Sequence, residues 1–282
     1  MTDNILKILF IGDVVGRIGR KAVTDYLAEN KSKYDFVILN AENASHGFGL
    51  TQKNYNQLSN AGVDCFTSGN HIWDKKEIFN YIDNAEKLVR PLNYPNGARG
   101  EGYRFFNIGD NKICVMNFLG RVFMQPVDSQ WQIMKDKINE IKDITPNIFI
   151  DFHAEATAEK ICFGRFCADL GVSAFVGTHT HVQTADEKII NGMAYISDAG
   201  FCGAEDSVIG MEYSTSLTRM TTCLPERFEV AQDNIAIVNA VEITLDALTG
   251  KATDIKRINE KIIYEKKETE EDFGNESSWL EV

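Results

Sequence analysis

The chain has 282 residues, of which 44% are apolar and 25% charged, a balance that excludes a disordered or fibrous protein and supplies a large core. Its net charge of −12 argues against stable binding of long nucleic acid, yet a small anionic substrate fits wherever bound cations invert the local field. No stretch approaches the roughly 18 apolar residues of a membrane span. The opening MTDNILKILF carries an acidic Asp3 and no small-residue cleavage pattern, which reads as a cytoplasmic protein.

Short apolar runs alternate with amphipathic segments, as in a chain that lays helices over a sheet. Ile5 to Ile11 is expected as a buried strand, Gly16 to Asn30 as a helix, Phe36 to Leu39 as a second strand, and Thr51 to Ala61 as a helix capped by Thr51. Val63 to Thr67 is a third strand. Asp74 and Glu77 then form a capping-box-like pair that should open a helix to Ala85.

The middle of the chain changes character. Tyr103 to Asn107 and Lys112 to Asn117 flank turn residues and predict a hairpin, hence antiparallel pairing. Helices are expected over Asp128 to Lys142 and Thr157 to Leu170, strands over Ile148 to Phe152 and Val172 to Val176, and a tight hairpin at Asn191-Gly192. Ile235 to Leu245 and a strand after the Leu-Thr-Gly-Lys turn close the pattern. Parallel and antiparallel pairing together predict an α/β fold of two mixed β-sheets packed face to face with helices outside. Residues 1–265 read as one domain. The acidic tail, residues 266–282, reads as solvated, with Trp279 and Leu280 its docking groups.

Polar, metal-capable residues fall just past the C-terminal ends of these strands, the side on which open α/β sheets place ligands. Asp13 follows the first strand, Glu42 and Asn43 the second, and Asn70 and His71 the third; His153 follows Phe152, and His179 and His181 follow Val176. Four of the chain's five histidines sit at these ends, which lifts the set above its members. His46, in a Gly-rich loop, reads as a loop residue. In extended chain His179 and His181 would point to the same side and reach adjacent metals. Gly69 is expected to supply a tight turn that aims Asn70 and His71 into one cavity. Gly12, Gly16 and Gly19 lack the spacing of a dinucleotide loop and read as a close approach of helix to sheet. The six cysteines form no C-x-x-C pair and read as free buried thiols, with Cys162 and Cys167 a weak alternative ligand pair.

The blocks Gly12-Asp13, Glu42-Asn43, Gly69-Asn70-His71, His153 and Gly177-Thr178-His179-Thr180-His181 resemble, in order and spacing, those of the calcineurin-like metallophosphoesterase superfamily. FIGDVVGRIGR, NAENASHGFGL, TSGNHIWD, DFHAEATAEK and VGTHTHVQTAD are similar to its YmdB-type branch over roughly residues 5–260. The chain departs from the wider superfamily in lacking a histidine two residues after Asp13 and in carrying Glu42-Asn43 where Asp is usual, both features of that branch. The resemblance implies a four-layer α-β-β-α sandwich and hydrolysis of small phosphodiesters, including 2',3'-cyclic nucleotides. It also implies two metal ions bridged by Glu42, one completed by Asp13, Asn43 and His181 and the other by Asn70, His153 and His179. Such a pair clamps a phosphoryl group while a bridging hydroxide attacks in line.

Imidazole, carboxylate and amide donors without thiolate favour iron or manganese, with zinc a competitor. His71, beside a ligand but given no coordination, is the candidate general acid. Two other readings stand beside this one: a dinuclear hydrolase of another ester or amide bond, and a non-catalytic, metal-supported regulatory or RNA-binding protein. The substrate-side wall is expected from Ser45 to Leu50, Arg121 to Pro126 and Asp198 to Met211. A homo-oligomer, dimer or tetramer, is expected through loop apolar residues such as Phe123 and Phe201.

Overall fold

Strand β1 (Ile5–Ile11) shows how the layers arise. Its side chains alternate, so Leu6, Ile8 and Phe10 enter one apolar cluster while Leu9 and Ile11 enter another on the opposite face. A strand apolar on both faces must be covered on both. The computed structural model describes residues 4–265, and the expected acidic tail with Trp279 and Leu280 lies outside them.

After β1 come β2 (Asp13–Val14), α1 (Gly16–Asn30), β3 (Phe36–Asn40), α2 (Gln52–Asn60), β4 (Cys65–Thr67), β5 (Tyr103–Ile108), β6 (Asn111–Leu119) and α3 (Gln130–Lys142). Then follow β7 (Asn147–His153), α4 (Thr157–Asp169), β8 (Ala174–Thr178), β9 (Lys188–Ile190), β10 (Met193–Ile196), β11 (Phe201–Ala204), α5 (Tyr213–Thr222), β12 (Ile235–Asp246) and β13 (Lys251–Ile263). One sheet runs β2-β11-β12-β1-β3-β4 with β13 on β12; the other runs β5-β6-β7-β8-β10-β9. Each mixes parallel pairs, such as β1 with β3 and β7 with β8, and antiparallel ones, such as β1 with β12 and β5 with β6.

The inner cluster joins Ile8, Phe10 and Ile38 of the first sheet to Val115, Phe149 and Val176 of the second, with Phe10 stacked on Phe149 at 5.3 Å. Helix α1 covers the first sheet through Ile18, Ala22 and Tyr26, one face at i, i+4 spacing. Met134, Ile138 and Ile141 of α3 and Phe163 and Cys167 of α4 cover the second. The expected α-β-β-α sandwich is therefore the observed one. Each fully buried Phe, Ile or Leu contributes about 1.5–3 kcal/mol to holding it. Gly19 is required by proximity: a Cβ there would lie 2.2 Å from the Cys202 carbonyl oxygen of β11.

Three expectations fail. No α-helix runs from Asp74 to Ala85; the segment forms short 3-10 turns at Lys76–Asn80 and Ile82–Asn84. Both carboxylates of the supposed capping box are engaged elsewhere, Asp74 by His71 and Glu77 by the Gln52 backbone N–H that opens α2. Phe201 is no loop residue for a subunit contact: it lies in β11, 9% exposed, with its ring stacked on His181. The cysteines are free, but not all are buried: Cys162 and Cys223 are exposed, and on α4 the exposed Cys162 and the buried Cys167 do not share an environment. Strand β11 and helix α5 add to the elements that periodicity marks. Among the described residues no helix is long and apolar enough to cross a membrane.

Candidate metal centre

Both sheets bring parallel strands to one rim, and the rim gathers the polar residues. Glu42 and Asn43 follow β3, Asn70 and His71 follow β4, His153 ends β7, and His179 and His181 follow β8. Asp13 follows the end of β1, as expected, and also opens the two-residue strand β2, paired in register with Phe201. His46 is exposed in its loop, at a φ of 58°.

Hydrogen-bond partners determine which atom each imidazole presents. Asp151 accepts the Thr178 hydroxyl proton at 2.7 Å, so the Thr178 oxygen accepts from His153 Nδ1–H at 2.9 Å. His153 Nε2 is left bare. His179 Nε2 lies 3.2 Å from the Glu155 carboxylate, whose charge favours the N–H on that nitrogen and leaves Nδ1 bare. His181 Nδ1 donates to the Ile209 carbonyl at 2.8 Å, which bares Nε2. His153 Nε2 then stands 3.0 Å from His179 Nδ1 and 3.0 Å from Glu42 Oε1. Three lone-pair acceptors so close repel one another unless a cation lies among them.

A proton does not serve. Burial holds the His153 pKa well below the ordinary imidazole value, His179 falls to about 3 chiefly through burial, and His181 is lowered for the same reason. The carboxyls shift the other way. Burial raises Glu42, and Asp13 rises well above its usual range through burial reinforced by the charges of Glu42, Asp198 and Asp151. Asp13 Oδ1, Glu42 Oε2, Asn43 Oδ1 and Asn70 Oδ1 are all buried without a hydrogen-bond partner. Leaving such an atom unpaired costs about 1–3 kcal/mol.

Glu42, His153 and His179 hold donor atoms all within 4.8 Å of one another, a spacing that suits a metal ion. Asp13 Oδ1 lies 3.9 Å from His181 Nε2, a further donor pair beside the first group. Asn43 gives its amide N–H to the Gly47 carbonyl, so its oxygen is the free end. No cysteine joins either group among the described residues. The donor set therefore fits cations.

Two expectations about geometry change. His179 and His181 are not in extended chain; their φ angles are 102° and 63°, left-handed for non-glycine residues. Such backbone costs about 1–3 kcal/mol per residue and persists only where surroundings enforce it. Asp198 does so here, accepting both the N–H (3.0 Å) and the hydroxyl (2.7 Å) of the intervening Thr180, while Lys160 of α4 neutralises it at 2.7 Å. Nor does Gly69 act through a turn conformation. A Cβ there would lie 1.7 Å from Glu42 Oε2 and 2.4 Å from His153 Nε2, so glycine keeps the space between the donors open.

His71 lies at the mouth, its side chain 29% exposed, with Nδ1 held by Asp74 at 2.8 Å and Nε2 3.9 Å from Glu42 Oε1. Its ring meets Phe48 edge-on at 4.9 Å. The cleft above the donors, about 200 Å³, is walled by Phe48, Val208, Ile209, Met211 and, unforeseen, by α5 and Phe228. The Arg121 to Pro126 loop does not line it. Reading the sequence also missed Asp151, Thr178, Asp198 and Glu155 as orienting partners. One signal was present: Asp151 interrupts the apolar run NIFIDFH two residues before His153, on the same face of the strand.

Comparison with known proteins matches residues 9–258 to a family described as YmdB-like protein. The chain belongs to the YmdB-like family. It is 47% identical over 256 residues to the Bacillus subtilis 2',3'-cyclic-nucleotide 2'-phosphodiesterase, covering 90% of this chain and 96% of that one. Crystal structures of a novel phosphatase from Mycoplasma pneumoniae and of a hypothetical protein from Thermus thermophilus superpose with TM-scores of 0.86 each, at 37% and 36% identity. They cover 93% and 91% of this chain and are themselves covered to 96% and 99%. The resemblance of the motif blocks to this family is thereby borne out.

Proposed function

We propose that this protein is a dinuclear metal-dependent phosphodiesterase acting on 2',3'-cyclic nucleotides or closely related small phosphodiesters. One observation carries the reading. Bare His153 Nε2, His179 Nδ1 and Glu42 Oε1 crowd together, with imidazoles too acidic to be charged, at the rim of a YmdB-like fold. The name of the Bacillus subtilis relative supports the substrate class.

Glu42, His153, His179 and Asn70 would hold one ion and Asp13, Asn43, His181 and Glu42 the other. Glu42 would be the shared ligand, because a carboxylate has two oxygens to offer and a negative charge that offsets cation repulsion. The ions, iron or manganese by the donor chemistry, supply Lewis acidity and a water of lowered pKa.

The chain's own residues do the rest. Asp74 orients His71 so that Nε2 faces the cleft, where a protonated ring donates to the ribose oxygen expelled as the phosphodiester opens. Asp151 and Thr178 fix the His153 tautomer and the nearby Glu155 charge favours that of His179, keeping lone pairs rather than N–H groups directed inward. The apolar wall above excludes bulk water. The test is elemental analysis of the purified protein together with hydrolysis of 2',3'-cyclic AMP, with and without chelator and added Mn²⁺. Close to two metals per chain and chelator-sensitive turnover are expected; a protein that stays inactive after reconstitution with Mn²⁺ or anaerobic Fe²⁺ overturns the reading.

A further inference from the structure

Helix α5 is rich in hydroxyls, and most are satisfied within it. Thr215, Thr218, Thr221 and Thr222 each donate to a carbonyl one turn back, at 2.6–3.2 Å. Ser216 does not. It is the buried residue of this helix, 2% exposed, and its Oγ has no hydrogen-bond partner. Buried polar atoms are almost always paired, so an unpaired one in the wall of a cavity points to a ligand.

Ser216 lines the cleft over the donor cluster together with the apolar side chains of Phe228, Met220, Ile209 and Met211. Phe228 is held by the Arg219 guanidinium, 4.3 Å from its ring centroid. Glu42, His71, His179 and His181 line the same cleft. Its lining therefore combines charged, metal-capable groups with apolar side chains and a single unpaired hydroxyl. At about 200 Å³ the space falls short of the roughly 300–1,000 Å³ typical of small-molecule sites and suits a compact molecule rather than an extended chain.

We propose that this wall is the nucleobase subsite, with Phe228 and Met220 packing on the base and the Ser216 hydroxyl bonding its edge while the phosphodiester lies over the metal ligands. The assignment rests on the phosphodiesterase reading and extends it to specificity. Stacking on an aromatic ring is indifferent to base identity, and a serine hydroxyl both donates and accepts, so purine and pyrimidine substrates both fit. The recognised element is a flat heterocycle one ribose away from the scissile ester.

The test compares kcat/KM for 2',3'-cyclic AMP with that for glycerol 1,2-cyclic phosphate, which has the same five-membered cyclic ester and no base. The metal-loaded full chain is used as wild type, Ser216→Ala and Phe228→Ala. The wild type should favour the nucleotide by tenfold or more. Ser216→Ala should lower the ratio of the two constants about 3–10-fold, the worth of one neutral hydrogen bond, and Phe228→Ala about tenfold, the worth of one stacked base. A ratio cancels any loss of folded protein. If either variant keeps the wild-type ratio, the subsite is wrong as assigned. Wild-type protein that hydrolyses neither ester overturns the phosphodiesterase reading itself, a distinguishable outcome.

Discussion

The Thr178 hydroxyl stands 2.9 Å from His153 Nδ1 and gives its own proton to Asp151, so a residue outside the donor set decides which imidazole nitrogen faces the centre. Thr178→Val removes that acceptor and frees the ring to adopt the other tautomer. Loss of such an outer partner typically weakens metal affinity 10–100-fold. Metal titration monitored by elemental analysis of dialysed protein should show this loss, with an unchanged circular dichroism spectrum. Affinity equal to wild type would remove Thr178 from the account.

His71→Ala should lower turnover of a phosphodiester by roughly 10²–10⁴-fold, the range of general acid–base catalysis, while leaving metal content near that of wild type. Asp74→Asn should lower it less, since the ring remains and only its orientation is loosened. Metal loss in His71→Ala would instead make His71 a ligand.

Glu42→Ala should lose metal and activity together, because it removes the oxygen that meets His153 Nε2. Gly69→Ala should do the same by a different route. Its methyl group would occupy the space 1.7 Å from Glu42 Oε2, although no donor atom is deleted. Full activity in either variant, measured alongside metal content, contradicts the shared-ligand arrangement.

The metal-stripped protein should lose stability as pH rises through neutrality. Burial raises the Asp151 carboxyl to about 7 despite its hydrogen bonds from Thr67, Thr178 and Asn40, and Asp13 and Glu42 shift in the same direction. A carboxyl raised in the folded state binds its proton more tightly there than in the unfolded chain. Its contribution is complete below the unfolded value near 3.8 and is lost as pH climbs through the folded value near 7. The slope is at most about 1.4 kcal/mol per pH unit for each such group. Tm of chelated protein should therefore fall between about pH 6.5 and 7.5, because below that range the buried histidines, whose pKa values folding lowers, act in the opposite sense, and metal loading should flatten the profile by supplying the missing positive charge. A Tm that rises over this interval without metal would contradict the buried-carboxylate picture.

Asp13, Glu42, Asn43, Asn70, His153, His179 and His181 were legible as a set because strand periodicity reports which residues end a strand, and ends of parallel strands share a rim. The same periodicity was blind to the turn at His179 and His181, since a left-handed backbone at a histidine leaves no trace in local pattern and is imposed by Asp198 from 17 residues away in sequence, Asp198 to His181. Asp74 and Glu77 misled for a related reason. Their spacing matches a helix start, but a carboxylate bonds the nearest donor in space, and those donors belong to His71 and to Gln52.

By itself, then, the sequence determined the layered α/β architecture, through apolar alternation that each strand and helix carries within its own few residues, and the chemical identity of the donors. Only the tertiary structure decided which nitrogen of each ring turns inward, that Gly69 acts by leaving space, and that a helix near the C-terminal third walls the cleft. Those features depend on distances between residues remote in the chain, and such distances exist only once the two sheets have packed.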